Sequence, residues 1–277
     1  MFDRIIELLK VIIIGVVEGI TEWLPISSTG HMLLVDEFIK MQASDEFKQM
    51  FFVVIQLGAI MAVIMLFWSK MWPFREKTKD TPIIKKDIFS LWFKVVVACI
   101  PGAIITLTLD DCIEAHFETP SVIAAALIFY GVIFIVVEKW NEGRIPSVGT
   151  IEDITYKTAF IIGLFQVLSI VPGTSRSGAT IIGALIIGVS RTAAAEFTFF
   201  LAVPVMLGYS LLKIIKFGFA ITMTELATLI VGCVVAFGVS VFVIKFLMGY
   251  IKKHDFKVFG IYRIILGIIV ISYFAIA

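Results

Sequence analysis

Long apolar runs separated by short polar connections dominate the chain and predict transmembrane helices. A helix that spans the hydrocarbon core of a membrane needs about 20 predominantly apolar residues. Six runs approach or reach this length and predict full spans: Met50–Trp68, Ile88–Leu109, Val122–Val137, Ala193–Leu212, Leu226–Met248 and Val258–Ala277. The pattern therefore predicts an all-α polytopic membrane protein.

Two further stretches, Ile5–Val35 and Thr158–Val189, are apolar but are interrupted near the middle by Gly, Pro, Ser and Thr. Backbone that leaves the helix at membrane depth is tolerated only where it is buried in protein or lines a water-filled cavity. We therefore expect each stretch to form a re-entrant helical hairpin rather than a full span.

Composition narrows the class of protein. Of the 277 residues, 60% are apolar and 16% are charged, whereas a soluble domain is about 45–50% apolar and about 25% charged. This excludes a water-soluble globule, and we expect residues 1–277 to form one membrane domain. The net charge of +1 lacks the basic surplus that nucleic-acid binding requires, so no nucleic-acid partner is expected.

The charges in the connections predict the orientation, because short cytoplasmic loops carry an excess of Lys and Arg. The loop 110–118 holds four acidic residues and no Lys or Arg, whereas the loop 70–87 holds six basic residues, Lys70, Arg75, Lys77, Lys79, Lys85 and Lys86. The first loop is therefore external and the second cytoplasmic. With six spans, both termini fall on the external side, the first hairpin enters from outside, and the second enters from the cytoplasm.

An internal repeat supports the same layout. At an offset of 148 residues the aligned pairs include Glu18 with Gln166, Ser27 with Ser175, Thr29 with Ser177 and Gly30 with Gly178. We therefore predict two repeats, 1–140 and 155–277, each with one hairpin and three spans. An odd number of spans inverts the second repeat relative to the first, as in many transporters.

The first hairpin carries two acidic side chains in its apolar part. Glu18 and Glu22 are four residues apart, so on a helix they share one face. Ionisable groups inside a membrane are costly and by default functional. Two carboxylates this close must share a proton, a cation or water, unless they simply lie at a solvated helix end.

Hydroxyl side chains and a histidine follow the break at Pro25. Ser27, Ser28 and Thr29 offer hydroxyls and N–H groups that hold an anion at a helix N-terminus, or that act as ordinary helix caps. His31 and a nearby hydroxyl can form an acid–base pair with a nucleophile, or the histidine can simply cap a turn.

The second hairpin carries one arginine in a hydroxyl-rich turn. Arg176 is the only Lys or Arg between residues 157 and 191, and a buried guanidinium needs an anionic partner that accepts two hydrogen bonds. Phosphate has that geometry, and the Gly and Ser residues of Pro172–Thr180 leave the backbone open to it, as in phosphate-binding loops. The alternative is an ion pair with Glu18 or Glu22 that only neutralises the carboxylates.

The two hairpins carry complementary groups. If inverted repeats bring them together, one site combines the carboxylates of Glu18 and Glu22 with the guanidinium of Arg176. Carboxylates, an arginine and a divalent metal are the usual groups that bind a phosphoryl group during its transfer. The residues therefore predict a membrane site for phosphate and a divalent cation.

Two motifs, Glu18–His31 and Pro172–Thr180, resemble those of the undecaprenyl-diphosphate phosphatase family of the bacitracin-resistance type. Weaker likeness at Val54–Gly58 and Glu196–Pro204 extends the resemblance over nearly the whole chain. It implies an integral membrane enzyme that removes the terminal phosphate of the C55 isoprenoid diphosphate and so recycles the lipid carrier of cell-wall glycan synthesis. It also implies a divalent cation, Mg²⁺ or Ca²⁺, as cofactor.

The resemblance assigns a role to each motif residue. Glu18 and Glu22 hold the metal or act as acid and base, and Arg176 clamps the diphosphate. Ser28 is the nucleophile and His31 the acid or base that serves it, although His31 can itself take the phosphoryl group. The residues that supply hydrogen bonds to the substrate are Ser27, Thr29, Ser175, Ser177 and Thr180.

The strongest alternative function is a transporter or flippase of a polyprenyl phosphate lipid, because inverted repeats with broken helices are common in transporters. His31 and the clustered hydroxyls favour the enzyme, since a transporter does not need them. We expect the protein in the bacterial plasma (inner) membrane, with membrane lipids and the isoprenoid diphosphate as partners and the active site on the external side. A homodimer is a further candidate, and the sequence leaves the oligomeric state open.

Overall fold

The regular secondary structure is helical throughout the part of the chain that the computed structural model describes, residues 2–74, 83–117, 119–218 and 220–276. Side chains are described in these ranges except at 2–4 and 109–116. The helices are α1 Phe2–Thr21, α2 Ser28–Ile39, α3 Asp45–Val54, α4 Gln56–Leu66, α5 Trp68–Met71, α6 Lys86–Phe117, α7 Pro120–Trp140, α8 Tyr156–Val167, α9 Arg176–Ile186, α10 Arg191–Phe217, α11 Met223–Tyr250 and α12 Lys257–Ile276.

Within these ranges, six helical segments are long and apolar enough to cross a membrane. They are Asp45–Leu66, Lys86–Thr108, Pro120–Trp140, Arg191–Phe217, Met223–Tyr250 and Lys257–Ile276. For the described residues, this confirms the prediction of an all-helical protein with six candidate spans. The first of these segments begins five residues before the apolar run, because the Ser44 side chain caps it by accepting a hydrogen bond from the Phe47 N–H.

The two interrupted stretches each contain a pair of helices. In the first, α1 ends at Thr21 and α2 begins at Ser28; in the second, α8 ends at Val167 and α9 begins at Arg176 after a 3₁₀ turn. Helices α2 and α8 have 12 residues each and α9 has 11. At about 1.5 Å per residue none of these three reaches the roughly 30 Å of a hydrocarbon core.

Connections on the predicted cytoplasmic side contact one another. The buried carboxylate of Glu138 accepts hydrogen bonds from the Arg191 guanidinium and from the backbone N–H of Phe256. Lys70 donates to both carboxylate oxygens of Glu196 at 2.9 Å. The chain segments that follow α4, α7 and α11 therefore lie at one end of the protein. Three of the basic residues that predicted this side lie outside the described residues: Arg75, Lys77 and Lys79.

Connections on the predicted external side lie at the opposite end. Glu7 near the start of α1 accepts a hydrogen bond from the backbone N–H of Gln42. The ring of Phe47, near the start of α3, contacts the ring of Phe217, the last residue of α10, at 6.0 Å between centroids. The acidic loop 110–118 predicted this side. Its residue Glu118 and the side chains of 110–116 lie outside the described part of the chain.

Helices of the two predicted repeats pack directly against each other: α7 against α12, α1 against α11 and α6 against α8. The crossing of α7 and α12 depends on glycine. A Cβ atom on Gly131 would lie 2.7 Å from the carbonyl oxygen of Gly260, and one on Gly260 would lie 2.6 Å from that of Gly131. Only glycine permits this approach, which brings the first half of α12 next to both helix breaks.

Candidate functional site

A serine with a left-handed backbone precedes the second helix of each interrupted stretch. Ser27 has a φ of 73° and Ser175 a φ of 71°, a region that side chains other than glycine rarely adopt and that often marks functional sites. Each serine side chain caps the following helix, accepting a hydrogen bond from the N–H of Gly30 at 3.4 Å and of Gly178 at 3.1 Å. The aligned serines thus share one local geometry.

Glu22 joins the two breaks. Its side chain is 6% exposed, and Oε1 accepts a hydrogen bond from Nη2 of Arg176 at 3.1 Å. Oε2 accepts one from the Ser28 hydroxyl at 2.8 Å, and the backbone carbonyl accepts one from the Ser177 hydroxyl at 3.3 Å. The two motifs predicted to meet are therefore in direct contact at one carboxylate.

Contacts with the protein use only part of the Arg176 guanidinium. Besides the bond to Glu22, its Nη1 donates to the backbone carbonyl of Thr198 at 3.2 Å. Its Nε is buried and has no hydrogen-bond partner among the described residues. An unsatisfied buried donor costs about 1–3 kcal/mol, so this N–H is a ready donor to an anionic ligand.

Glu18 lies one helical turn before Glu22 and is buried. Its carboxyl group interacts electrostatically with both Glu22 and Arg176. Its Oε1 has no hydrogen-bond partner among the described residues, which leaves a buried acceptor oxygen beside the ion pair.

The carboxylates fit a divalent cation only in part. Among the described residues, no group of three or more His, Cys, Asp or Glu side chains could hold a metal ion. Mg²⁺ is commonly held by one or two carboxylates together with substrate phosphates. Glu18 and Glu22 therefore fit a cation that is shared with a phosphate ligand rather than one held by the protein alone.

His31 is oriented by two hydrogen bonds. Its Nδ1 lies 2.7 Å from the carbonyl oxygen of Ser27, and its Nε2 lies 2.7 Å from the hydroxyl oxygen of Tyr262. A carbonyl oxygen only accepts, so Nδ1 donates and Nε2 accepts from the tyrosine. The structure thus brings His31 to Tyr262, whereas the hydroxyl of Ser28 bonds to Glu22.

The other predicted hydroxyls have different environments. Ser175 and Ser177 lie 3.1 Å apart between their hydroxyl oxygens. Thr180 is fully buried, and its hydroxyl bonds to backbone carbonyls of its own helix and to the Thr198 hydroxyl at 2.9 Å. Thr29 is exposed in the first turn of α2. Thr29 is therefore open to a ligand, while Thr180 holds α9 against α10.

Three residues at the site were missed from the sequence. Thr198 accepts from Arg176, and Tyr262 bonds to His31. Arg263 is fully buried and donates to backbone carbonyls in both breaks. Arg263 carries the same sequence signal as Arg176, because it is the only charged residue in the apolar run 258–277.

The fold and site define a polytopic helical membrane protein whose buried polar site combines two carboxylates, an arginine and a serine hydroxyl. Comparison with known proteins agrees with this class. The model of the family described as bacitracin resistance protein BacA matches residues 11–269, and the chain belongs to this family.

Relatives in this family match the chain over almost its whole length. An undecaprenyl-diphosphatase of Enterococcus faecalis is 69% identical, and the match covers 96% of each chain. Proteins of the same name from Lachnoclostridium phytofermentans and Acetivibrio thermocellus are 62% and 60% identical, covering 98% and 97% of this chain and 98% of each relative. The family membership that the two motifs predicted is confirmed.

Proposed function

We propose that this chain is a membrane phosphatase that hydrolyses undecaprenyl diphosphate to undecaprenyl phosphate and inorganic phosphate, and so recycles the lipid carrier of cell-wall glycan synthesis. Relatives 60–69% identical over nearly the full chain carry the name of this activity. Six candidate spans in the described residues suit a substrate that stays in the bilayer. The transporter or flippase alternative is not favoured, because the names of these relatives describe hydrolysis.

The main structural support for this proposal is that one carboxylate, Glu22, bonds to a hydroxyl and to a guanidinium at once. A carboxylate that accepts a hydroxyl proton is the arrangement expected of a general base and its nucleophile. A guanidinium beside them binds phosphate oxygens. The groups to which we assign the roles of base, nucleophile and phosphate ligand are thus in contact, which supports the proposal.

We propose the following chemistry at these groups. Ser28 Oγ attacks the terminal phosphorus while its proton passes to Oε2 of Glu22. The bond from phosphorus to the bridging oxygen breaks, and undecaprenyl phosphate leaves with the electron pair. Water then attacks the phosphorus of the phosphoserine and the bond from phosphorus to Oγ breaks. Oγ takes back the proton from Glu22, and inorganic phosphate leaves with the protons of the water. His31, held on both ring nitrogens, is the neighbouring acid or base and the second candidate for the nucleophile.

The remaining groups bind and orient the diphosphate in this proposal. Arg176 donates its free Nε–H to a phosphate oxygen, which its bonds to Glu22 and Thr198 leave available. Further hydrogen bonds to the substrate come from Ser27, Thr29 and Ser175. Ser177 and Thr180 act instead by holding α9 in place, because both are buried and their hydroxyls are already bonded to protein.

A divalent cation, Mg²⁺ or Ca²⁺, completes the proposed site. Glu18 and Glu22 would hold it together with the diphosphate, since Oε1 of Glu18 is a buried acceptor without a partner among the described residues. When bound, such a cation neutralises charge on the phosphate oxygens.

We further propose that α1–α2 and α8–α9 are re-entrant hairpins of two inverted repeats, 1–140 and 155–277. The short helices α2, α8 and α9 and the shared geometry of Ser27 and Ser175 support this arrangement. The excess of basic residues in loop 70–87 supports an active site that opens to the external side of the bacterial plasma membrane.

The test is phosphate release by the purified protein in detergent, with undecaprenyl diphosphate as substrate and with or without a chelator. We expect steady release that stops when the chelator is added, and release about 10³-fold slower from a matched Glu22→Gln preparation. Absence of release by the wild type, with movement of the lipid between the leaflets of vesicles, would contradict the phosphatase and favour a flippase.

A further inference from the structure

One guanidinium contacts both helix breaks. Nη1 of Arg263 donates to the carbonyl oxygen of Pro25 in the first break at 3.2 Å. Nη2 donates to the carbonyl oxygens of Gly173 and Thr174 in the second break at 2.8 and 2.9 Å. Arg263 is fully buried on α12, so a third element of the fold joins the two breaks.

The partners of Arg263 are unusual for a buried charge. A buried charge is costly unless it is paired and hydrogen-bonded, and buried arginines commonly pair with carboxylates. The described hydrogen-bond partners of Arg263 are instead three carbonyls of non-helical backbone, and its guanidinium carbon also lies 6.0 Å from the centre of the Tyr130 ring. Breaking a helix inside a membrane frees such carbonyls, and each must be satisfied within the protein. Arg263 satisfies carbonyls from both breaks with one planar group.

The backbone on the second side of this contact has little freedom. Gly173 has a φ of 91°, and a Cβ atom there would lie 2.5 Å from the carbonyl oxygen of Ile123 on α7. Helix α12, which carries Arg263, is itself held against α7 by the close approach of Gly131 and Gly260. The guanidinium therefore lies at a fixed position relative to α7.

The residue before Arg263 also acts on the site. The hydroxyl of Tyr262 donates to Nε2 of His31, and the two rings stack at 5.6 Å between centroids. Two adjacent positions of α12 thus orient His31 and both breaks.

We propose that Arg263 is a positioning residue. It sets the distance of Arg176 from the pair formed by Ser28 and Glu22. This inference rests on the proposed phosphatase function, because the separation matters for transfer of a phosphoryl group between these groups. Arg263 acts through the carbonyls of Pro25, Gly173 and Thr174, and not through the substrate. Misplacement of reacting groups by about 1 Å can cost roughly 100-fold in rate.

The test is Arg263→Lys, which keeps the charge but loses the planar fork that bonds three carbonyls at once. We expect kcat of the folded, monodisperse variant to fall by about 100-fold while KM for undecaprenyl diphosphate changes by less than about 3-fold, since an interaction that aligns the transition state affects kcat. Arg191→Lys is the matched control, because Arg191 bonds to buried Glu138 at the predicted cytoplasmic end. It should lower the melting temperature and leave kcat unchanged.

Two results would overturn the inference. One is an Arg263→Lys variant that, like the control, loses only thermal stability while its kcat per folded molecule stays normal. The other is failure of both Arg263→Lys and Arg263→Gln to fold, which would make the residue purely structural. Wild-type protein that releases no phosphate contradicts the proposed function itself, so the two failures are distinguishable.

Discussion

Nη2 of Arg176 donates a hydrogen bond to Oε1 of Glu22 over 3.1 Å, although the two residues are 154 positions apart in the chain. The ion pair that the sequence offered as an alternative to a phosphate clamp therefore exists. It uses only part of the guanidinium, because Nη1 bonds to Thr198 and Nε has no partner among the described residues. Neutralisation of Glu22 thus leaves a donor unexplained, and a bound phosphate would use it.

Lysine should not replace Arg176. Arg176→Lys retains a cation for Glu22 but cannot present several N–H groups in one plane, so we expect a folded protein whose turnover falls by about 100-fold. Arg176→Ala should instead lower the free energy of unfolding by about 3–5 kcal/mol, because it leaves a buried carboxylate unpaired. Phosphate release and thermal unfolding measured on both variants test this. Near-normal turnover by the lysine variant would leave only a structural ion pair.

The charge of Glu22 should be essential. Glu22→Gln keeps the shape of the side chain but weakens its bonds to Ser28 and Arg176, so we expect a loss of about 10³-fold in turnover, which corresponds to several kcal/mol of transition-state stabilisation. Glu18→Gln should lose less, because the aligned position in the second repeat is already the amide Gln166. Both are assayed at saturating cation, with thermal unfolding as the control for folding. Equal activity of Glu22→Gln and wild type would exclude a role for the charge.

The nucleophile can be identified by trapping the intermediate. If Ser28 attacks, rapid quenching of the enzyme with substrate labelled in the terminal phosphate should yield an acid-stable phosphoserine, which Ser28→Ala lacks. His31→Ala should still form this intermediate, but more slowly. An acid-labile label that persists in Ser28→Ala and disappears in His31→Ala would assign the attack to His31 instead.

The spans could be predicted because burial in lipid imposes one simple rule, a long apolar run. The broken segments could be recognised for the same reason, since Pro25 or Pro172 interrupts an apolar stretch. The same rule does not predict which residues of these segments contact each other. The sequence allowed two interpretations of Arg176, and an ion pair with Glu18 or Glu22 was one of them. Only the fold shows that the partner is Glu22 and not Glu18.

The pairing of Ser28 with Glu22 could not be predicted. It depends on the turn between them, where Ser27 takes a left-handed backbone conformation that its residue type disfavours. The bond between His31 and Tyr262 joins positions 231 residues apart, and no local pattern encodes such a distance. The sequence shows Arg263 as a lone charge in an apolar run. It does not show that Arg263 contacts both helix breaks.

Labelling of cysteines tests the proposed orientation. In a background without Cys99, Cys112 and Cys233, Ser121→Cys near the start of α7 should react with an impermeant thiol reagent in intact cells. Lys253→Cys, after the end of α11, should react only after the cells are lysed. Both positions are exposed and lie at opposite ends of the protein, so they form a matched pair. The reverse pattern would place the active site on the cytoplasmic side.

The divalent cation should bind tightly only when the diphosphate is present. The described residues offer two carboxylates and no group of three or more acidic, His or Cys ligands, and Mg²⁺ with so few protein ligands relies on phosphate oxygens. Titration of Mg²⁺ into the protein alone should therefore leave the melting temperature nearly unchanged, whereas the same titration with a non-hydrolysable diphosphate lipid should raise it. Glu18→Gln should weaken the response measured with the lipid, because an amide keeps the acceptor oxygen but lacks the negative charge of the Glu18 carboxylate. A large shift with Mg²⁺ alone would mean that the protein holds the cation without its substrate.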